Sequence, residues 1–310
     1  MGIVVFGATF VDIKGHPLTK YVPDGRNVGK VMQVHGGVSR NVAEDIANVE
    51  LRPTFITVVD DNGTGESVIQ KLERHRINTK YISKVTGGLG TWLAIFDNDG
   101  DVVASISQRP DLSPIKGVME EYGDEIIKNA DSVVVEIDMD SDILKMIFAL
   151  AEKYNKDVYA VVSNMSIAME RRDLLSNTAC VVCNKQEAGM LFTADYEDYT
   201  PEQMKETLRT KLKTSRVKKM VVTLGDQGAV YAERNGKSGI CPAFNVTVLD
   251  TTGAGDGFFA GVAIGLTYGK TLKQACEIGT KLAASVIATK ENVCPRFLPE
   301  EFGLDVEIKE

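Results

Sequence analysis

Short apolar runs rich in β-branched residues recur along this chain, at 3–7, 54–59, 132–137, 157–162, 179–183 and 219–223. Segments of helical period lie between them, among them 39–49, 65–76, 144–154 and 201–212. No other feature narrows the fold so far. Strands that alternate with helices are joined by crossovers, which predicts an α/β chain with a mostly parallel sheet covered on both faces. Thr200 followed by Pro201 and Glu202 reads as a helix start, with Thr as cap and Pro in the first turn.

Two stretches break the alternation. Residues 14–34 are polar and carry no helical period, whereas 86–109 read as a hairpin, Thr91 to Phe96 and Val102 to Ile106 around the turn Asp97-Asn98-Asp99-Gly100. Together they predict a small β-flap projecting from the main sheet; an ordinary edge hairpin is the alternative. No repeat, low-complexity segment or linker divides the 310 residues, so a single domain is expected over 1–310, with lid segments at about 13–35 and 86–109.

The formal net charge of −8 argues against a nucleic-acid partner, which needs clustered Lys and Arg. It leaves room for a nucleotide held by backbone amides and metal. No window approaches the ~20 apolar residues of a membrane span, and the N-terminal run is strand-length rather than a signal-peptide core. Five cysteines, an odd number, read as reduced thiols of a cytoplasmic protein. Cys180 and Cys183 are three apart in a strand-like run, so they face opposite sides of a sheet and make no redox or zinc pair.

The most informative string is Asp250-Thr251-Thr252-Gly253-Ala254-Gly255-Asp256-Gly257, led in by the apolar run 246–249 and followed by a small-residue helical pattern. Gly253, Ala254 and Gly255 fall at a helix start, where unpaired N–H groups and the helix dipole attract an anion. Asp256 beside such a nest is either the cap of its helix or a base that takes a proton from an attacking hydroxyl. The string resembles the second signature of the ribokinase-like (PfkB-type) carbohydrate kinases, D-T-x-G-A-G-D, at every fixed position. That resemblance implies a three-layer α/β/α sandwich with a lid, Asp256 as catalytic base, and the amides of Gly253, Ala254 and Gly255 as the anion hole.

It extends over most of the chain. Gly36-Gly37-Val38-Ser39-Arg40-Asn41 looks like the first signature of that family, with Ser39 where relatives usually carry Gly. By the same resemblance Asp12, Gly36, Gly37, Asn41 and Glu136 bind the sugar. Asn184-Lys185-Gln186-Glu187 resembles the N-x-x-E motif, which places Asn184 at ATP phosphates and Glu187 on water around Mg²⁺. Thr223-Leu224-Gly225-Asp226-Gln227-Gly228 resembles the segment lining the nucleotide site, so Thr223, Gly225 and Gly228 are expected there. Asp250 and Thr252 fall where many relatives hold a monovalent cation, although the loop 289–295 lacks the usual Gly-containing form; K⁺ dependence is left open. Gly265 to Thr271 mimics a P-loop but has three residues between its glycines where four are needed, and no strand precedes it.

Within the family, Asn27-Val28-Gly29-Lys30, the Gly-Gly-Val-x-Arg-Asn form with Arg40, and the 91–106 hairpin are most similar to bacterial pseudouridine kinases. Ser163-Asn164 departs from the Asp-Pro of those relatives. The implied reaction is γ-phosphate transfer from ATP to a primary hydroxyl of a nucleoside such as pseudouridine, with Thr91 of the flap near the base. A free sugar is the alternative acceptor, a non-catalytic nucleoside or sugar sensor is a remote one, and a homodimer through the lid is implied by relatives that pair this way.

Overall fold

The computed structural model describes residues 2–306. Four parallel strands form one sheet in the order Val158–Val161, Ser132–Glu136, Ile3–Phe6, Thr54–Ile56. A second sheet runs Val181–Asn184, Lys219–Thr223, Ala229–Glu233, Ser238–Cys241, its first pair parallel and the rest antiparallel. The amide of Ala179 donates to the carbonyl of Val158 across the seam.

Side-chain alternation shows that the two sheets act as one layer. Ile3, Val5, Val134, Tyr159, Cys180 and Val221 pack in one core, while Val4, Phe6, Val133, Val135, Val181 and Val222 pack in the other. The first core is covered by helices Val38–Asn48, Gly63–Arg74, Ala254–Thr267 and Leu272–Ile287. The second is covered by Pro114–Asn129, Ser141–Lys153 and Pro201–Lys213. This is the expected α/β/α arrangement, with the central parallel strands buried on both faces. Cys180 and Cys183 do point into different cores, and all five cysteines are free and buried.

The expected strands and helices form within a few residues of their predicted ends. The run 54–59 is two strands, Thr54–Ile56 and Val58–Asp60, and the second pairs with Ser83–Val85. Thr200 caps its helix through a capping box with Gln203. Gly265 lies inside a helix and Thr271 caps the next one, so the P-loop mimic is a helix–turn–helix.

The flap is a four-stranded sheet in the order Gly29–Gly36, Phe10–Pro17, Gly90–Phe96, Val102–Gln108. Its central pair is parallel and its outer pairs are antiparallel. Phe10 is in register with Gly36 and with Gly90, and Thr91 with Gln108, so all four strands meet the body at one end.

Candidate active site

The Asp250–Gly257 string is positioned by helix Ala254–Thr267. The apolar lead-in 246–249 is not a strand: it is irregular, with Val248 and Leu249 exposed. Gly253 is the helix N-cap residue at φ 83°, and a Cβ on it would stand 2.1 Å from the carbonyl oxygen of Asn292. Only glycine tolerates both constraints. A Cβ on Gly255 would meet open space, so its backbone faces a clear approach for an anion.

Asp256 is in the first turn and is not the cap. Its Oδ2 accepts from Asn41 Nδ2 at 2.6 Å, a bond between two helices distant in sequence. Burial pushes its carboxyl up to about 6; the Asn41 hydrogen bond and the Arg40 charge pull it down, and Glu136 pushes it further up. The result is a carboxylate that is ionised at neutral pH yet basic enough to take a proton.

Asn41 reaches that position because helix Val38–Asn48 starts from Gly37, which has φ 100° and no room for a Cβ beside the Ala8 carbonyl. Arg40 is fully buried, paired with Glu44 at 2.9 Å, and donates to the carbonyls of His35 and Gly36. Its role is thus to hold the Gly36–Gly37 turn. Asp12 lies against Gly36, where a Cβ would fall 2.3 Å from Oδ2. Burial raises the Asp12 carboxyl, while Lys14 and Arg40 oppose the shift.

Glu136 is buried, with both oxygens engaged. Oε2 accepts from the Ala8 amide and the Ser39 hydroxyl, each at 2.9 Å, and Oε1 from Arg109 at 3.1 Å. The seryl side chain fits because Gly7 opposite has no Cβ. Ser39 therefore replaces glycine with a hydrogen bond to the floor of the site. Arg109 also pairs with Asp138 at 2.9 Å, and Ser163 donates to Asp138 at 2.6 Å. The sequence reading missed Arg109, Asp138 and this role of Ser163. Their only linear signal is position: Arg109 directly follows a flap strand, and the other two lie two residues past strand ends.

The structure separates Thr91 from Asp12, which corrects the expectation that both face one ligand. Register pairs Asp12 with Val34 and Trp92, whereas Thr91 pairs with Val11 and Gln108. Side chains alternate along a strand, so Thr91 is on the opposite face of the flap. Trp92 is the residue beside Asp12; Phe96 stands edge-on to it at 6.4 Å and is itself stacked on His16.

Thr223, Gly225 and Gly228 share a 580 Å³ cavity with Ala254, Gly255 and Phe258. Apolar Phe244, Val246, Val248 and Ile287 form its other side, which explains why the irregular lead-in keeps apolar residues exposed. Gly225 and Gly228 both have positive φ, and a Cβ on Gly228 would strike the Cys241 carbonyl. Asn184 and Glu187 form a capping box, the Asn184 amide donating to Glu187 Oε2 at 2.8 Å. They do not line that cavity, but Asn184 is in register with Thr223 at the strand ends. Burial raises the Glu187 carboxyl against the pull of the Asn184 amide. Asp250 Oδ1 accepts from the Thr252 amide at 2.8 Å, so that carboxylate braces its own turn.

Among the described residues no group of three or more His, Cys, Asp or Glu could hold a metal ion. A hard cation here fits the donor set only as one carried by phosphate oxygens and water, with the second oxygen of Glu187 available to that water. The glycine-backed amides at 253–255 and the adjoining cavity fit a nucleotide triphosphate in the same way.

Comparison with known proteins agrees with this geometry. The model of the pfkB family of carbohydrate kinases matches residues 2–295. A guanosine-inosine kinase of Exiguobacterium acetylicum is 32% identical over 94% of this chain and 95% of its own length. Pseudouridine kinase of Escherichia coli is 23% identical, covering 84% of this chain and 82% of the relative. The solved structure of Arabidopsis thaliana ribokinase complexed with ribose and ATP superposes with a TM-score of 0.81 at 20% identity, over 98% of this chain and 99% of the other; at that identity the likeness is one of fold. With the family model spanning nearly the whole chain and the Asp256 string at the mouth of the nucleotide-sized cavity, the chain belongs to the pfkB family of carbohydrate kinases, phosphotransferases that act on a hydroxyl acceptor.

Proposed function

We propose that this chain transfers the γ-phosphate of ATP to the primary hydroxyl of a ribonucleoside. The observation that carries the reading is the Asn41–Asp256 hydrogen bond, which fixes a carboxylate of raised basicity at the mouth of a helix-terminal anion cradle. Asp256 takes the hydroxyl proton. The amides at Gly253, Ala254 and Gly255 receive the charge that develops on the phosphoryl oxygens. Mg²⁺ would neutralise the phosphates, with Glu187 holding its water, and Asp250 and Thr252 are where a K⁺ would sit if the reaction depends on one. Asp12, Gly36, Gly37, Asn41 and Glu136 hold the ribose.

Trp92, the sole tryptophan of the sequence, lies beside Asp12 and supports a planar base over a free sugar as the group next to the ribose. Guanosine and inosine lead the acceptor list through the 32% identical relative. Pseudouridine remains on it through the Gly36–Asn41 string. In this reading 1–310 is one kinase domain with lid segments at about 13–35 and 86–109, reduced thiols fit the cytoplasm, and small molecules rather than nucleic acid are the partners.

A coupled ADP-release screen of guanosine, inosine, pseudouridine, uridine and ribose, with and without K⁺, tests the assignment. Fluorescence of Trp92 gives an independent reading, because a stacked base quenches it and ribose alone does not. Turnover on ribose only, with unchanged fluorescence in every nucleoside, would exclude the nucleoside assignment.

A further inference from the structure

Helix Val38–Asn48 carries three polar residues at a spacing that puts them on one face: Asn41, Asp45 and Asn48. Asn41 reaches Asp256. The other two reach a different element, the loop 289–295. The Cys294 amide donates to Asp45 Oδ1 at 2.7 Å, and Asn48 Nδ2 donates to the Cys294 carbonyl at 2.6 Å. Asn48 is held in turn by His75, whose Nδ1 lies 2.7 Å from Asn48 Oδ1. One residue of the loop, Cys294, is thus gripped at both its amide and its carbonyl by neighbouring turns of the Asn41 helix.

The same loop is the wall of the anion cradle. The Asn292 carbonyl stands where a side chain on Gly253 would be, and Asn292 Nδ2 donates to the His35 carbonyl at 3.1 Å. Displacing the loop would free the N-cap of the Asp256 helix, and with it the amides meant for phosphate. Asp45 itself is fully buried, and its Oδ2 has no hydrogen-bond partner. Burial drives its carboxyl well above the usual carboxylate range; the Cys294 amide and thiol oppose this, and Asp256 and Glu44 add to it. A buried carboxyl that makes one hydrogen bond persists as the neutral acid.

We propose that Asp45, acting as a neutral hydrogen-bond acceptor, is a positioning residue that with Asn48 fixes the loop 289–295 as the back wall of the phosphate cradle. The proposal rests on the kinase reading of Asp256 for its kinetic consequence but not for its structural one. A neutral acceptor is replaceable by an amide of the same shape. Asp45→Asn therefore keeps the loop in place, whereas Asp45→Ala releases the Cys294 amide and Asn48→Ala releases its carbonyl.

The test combines steady-state kinetics with hydrogen exchange of the 289–295 amides. Asp45→Asn is expected to match the wild type within about twofold in KM for ATP, whereas Asp45→Ala and Asn48→Ala raise it about tenfold, the effect of losing one buried hydrogen bond. In both alanine variants exchange in 289–295 accelerates; in Asp45→Asn it does not. Equal damage from Asp45→Asn and Asp45→Ala would overturn the neutral-acceptor role. Wild-type KM and wild-type exchange in both alanine variants would overturn the positioning role. If the wild type transfers no phosphate, the kinase reading fails, and the exchange measurement alone decides this one. If Asp45→Ala does not fold, Asn48→Ala decides it.

Discussion

Asp256→Asn separates chemistry from stability at one atom. The amide keeps the shape of the carboxyl, and its oxygen still accepts from Asn41, whose bond to Asp256 is 2.6 Å long. Activity falls because an amide takes no proton; a loss of roughly 10²–10⁴-fold in kcat is expected with ATP binding nearly intact. Stability should move the other way. The carboxyl sits at about 6 in the folded chain against an ordinary 3.8, so above pH 6 folding buries a charge that the site disfavours. At about 1.36 kcal/mol per unit the full shift is worth about 3 kcal/mol, and the partial exposure of the residue reduces this to about 1–2 kcal/mol.

The sign follows from the raised value. Wild-type Asp256 favours the fold below its unfolded pKa and loses that contribution as pH rises through about 6. The asparagine variant is therefore the more stable protein at pH 7.5, by about 2–3 °C for a chain of this size. The gap closes at pH 4 and below. Calorimetric melts at pH 7.5, 5 and 4, paired with ADP release, measure both effects. A variant that keeps wild-type turnover, or that melts below the wild type at pH 7.5, would refute the reasoning.

Arg109→Met removes the one guanidinium that pairs with Glu136 and Asp138, leaving two buried carboxylates side by side. The expected loss is about 1–2 kcal/mol of stability after allowance for the exposed arginine. It should be larger at pH 8 than at pH 5, because burial and the Asp138 charge favour protonation of Glu136; chemical denaturation at the two pH values checks this. Gly253→Ala meets both the positive φ and the Asn292 carbonyl, so binding of a non-hydrolysable ATP analogue should weaken at least about tenfold; titration calorimetry reads it. Val31 and Ile106, 74% and 71% exposed, lie on the Thr91 face of the flap, where pairing of two lids would cover them. Val31→Lys with Ile106→Lys should shift the sedimentation of a wild-type dimer to that of a monomer, and a wild type that sediments as one chain at all concentrations would remove the dimer.

Local chemistry explains what could be seen in the sequence alone. Strand and helix positions were legible because each apolar run is largely buried, and the Asp256 string because Gly253 answers to a backbone constraint that tolerates no other residue and Gly255 leaves the helix start open. The Thr91 assignment failed on register: hairpin turns reveal which segments pair, but the parallel pairing of Phe10–Pro17 with Gly90–Phe96, which decides the face, is a contact between segments far apart in sequence. Arg109 escaped for a similar reason. An arginine after a strand looks like any surface residue until the fold brings Glu136 and Asp138 to it. The lead-in at 246–249 showed only as an apolar run, because residues that line a cavity are as hydrophobic as those that fill a core.

The flap meets the body at one end, where Gly36, Phe10 and Gly90 are in register and Gln108 pairs with Thr91 one residue further on. If the flap turns about that end, Asp12 stands two residues beyond the axle while Asn41 stands on the body side, past Gly37. A molecule touching both residues spans the axle and becomes the bolt that keeps the door shut. Release of a phosphorylated product would then be the same event as opening, so the lifetime of the closed state should scale with the grip of Asp12 rather than with any contact made by the cradle.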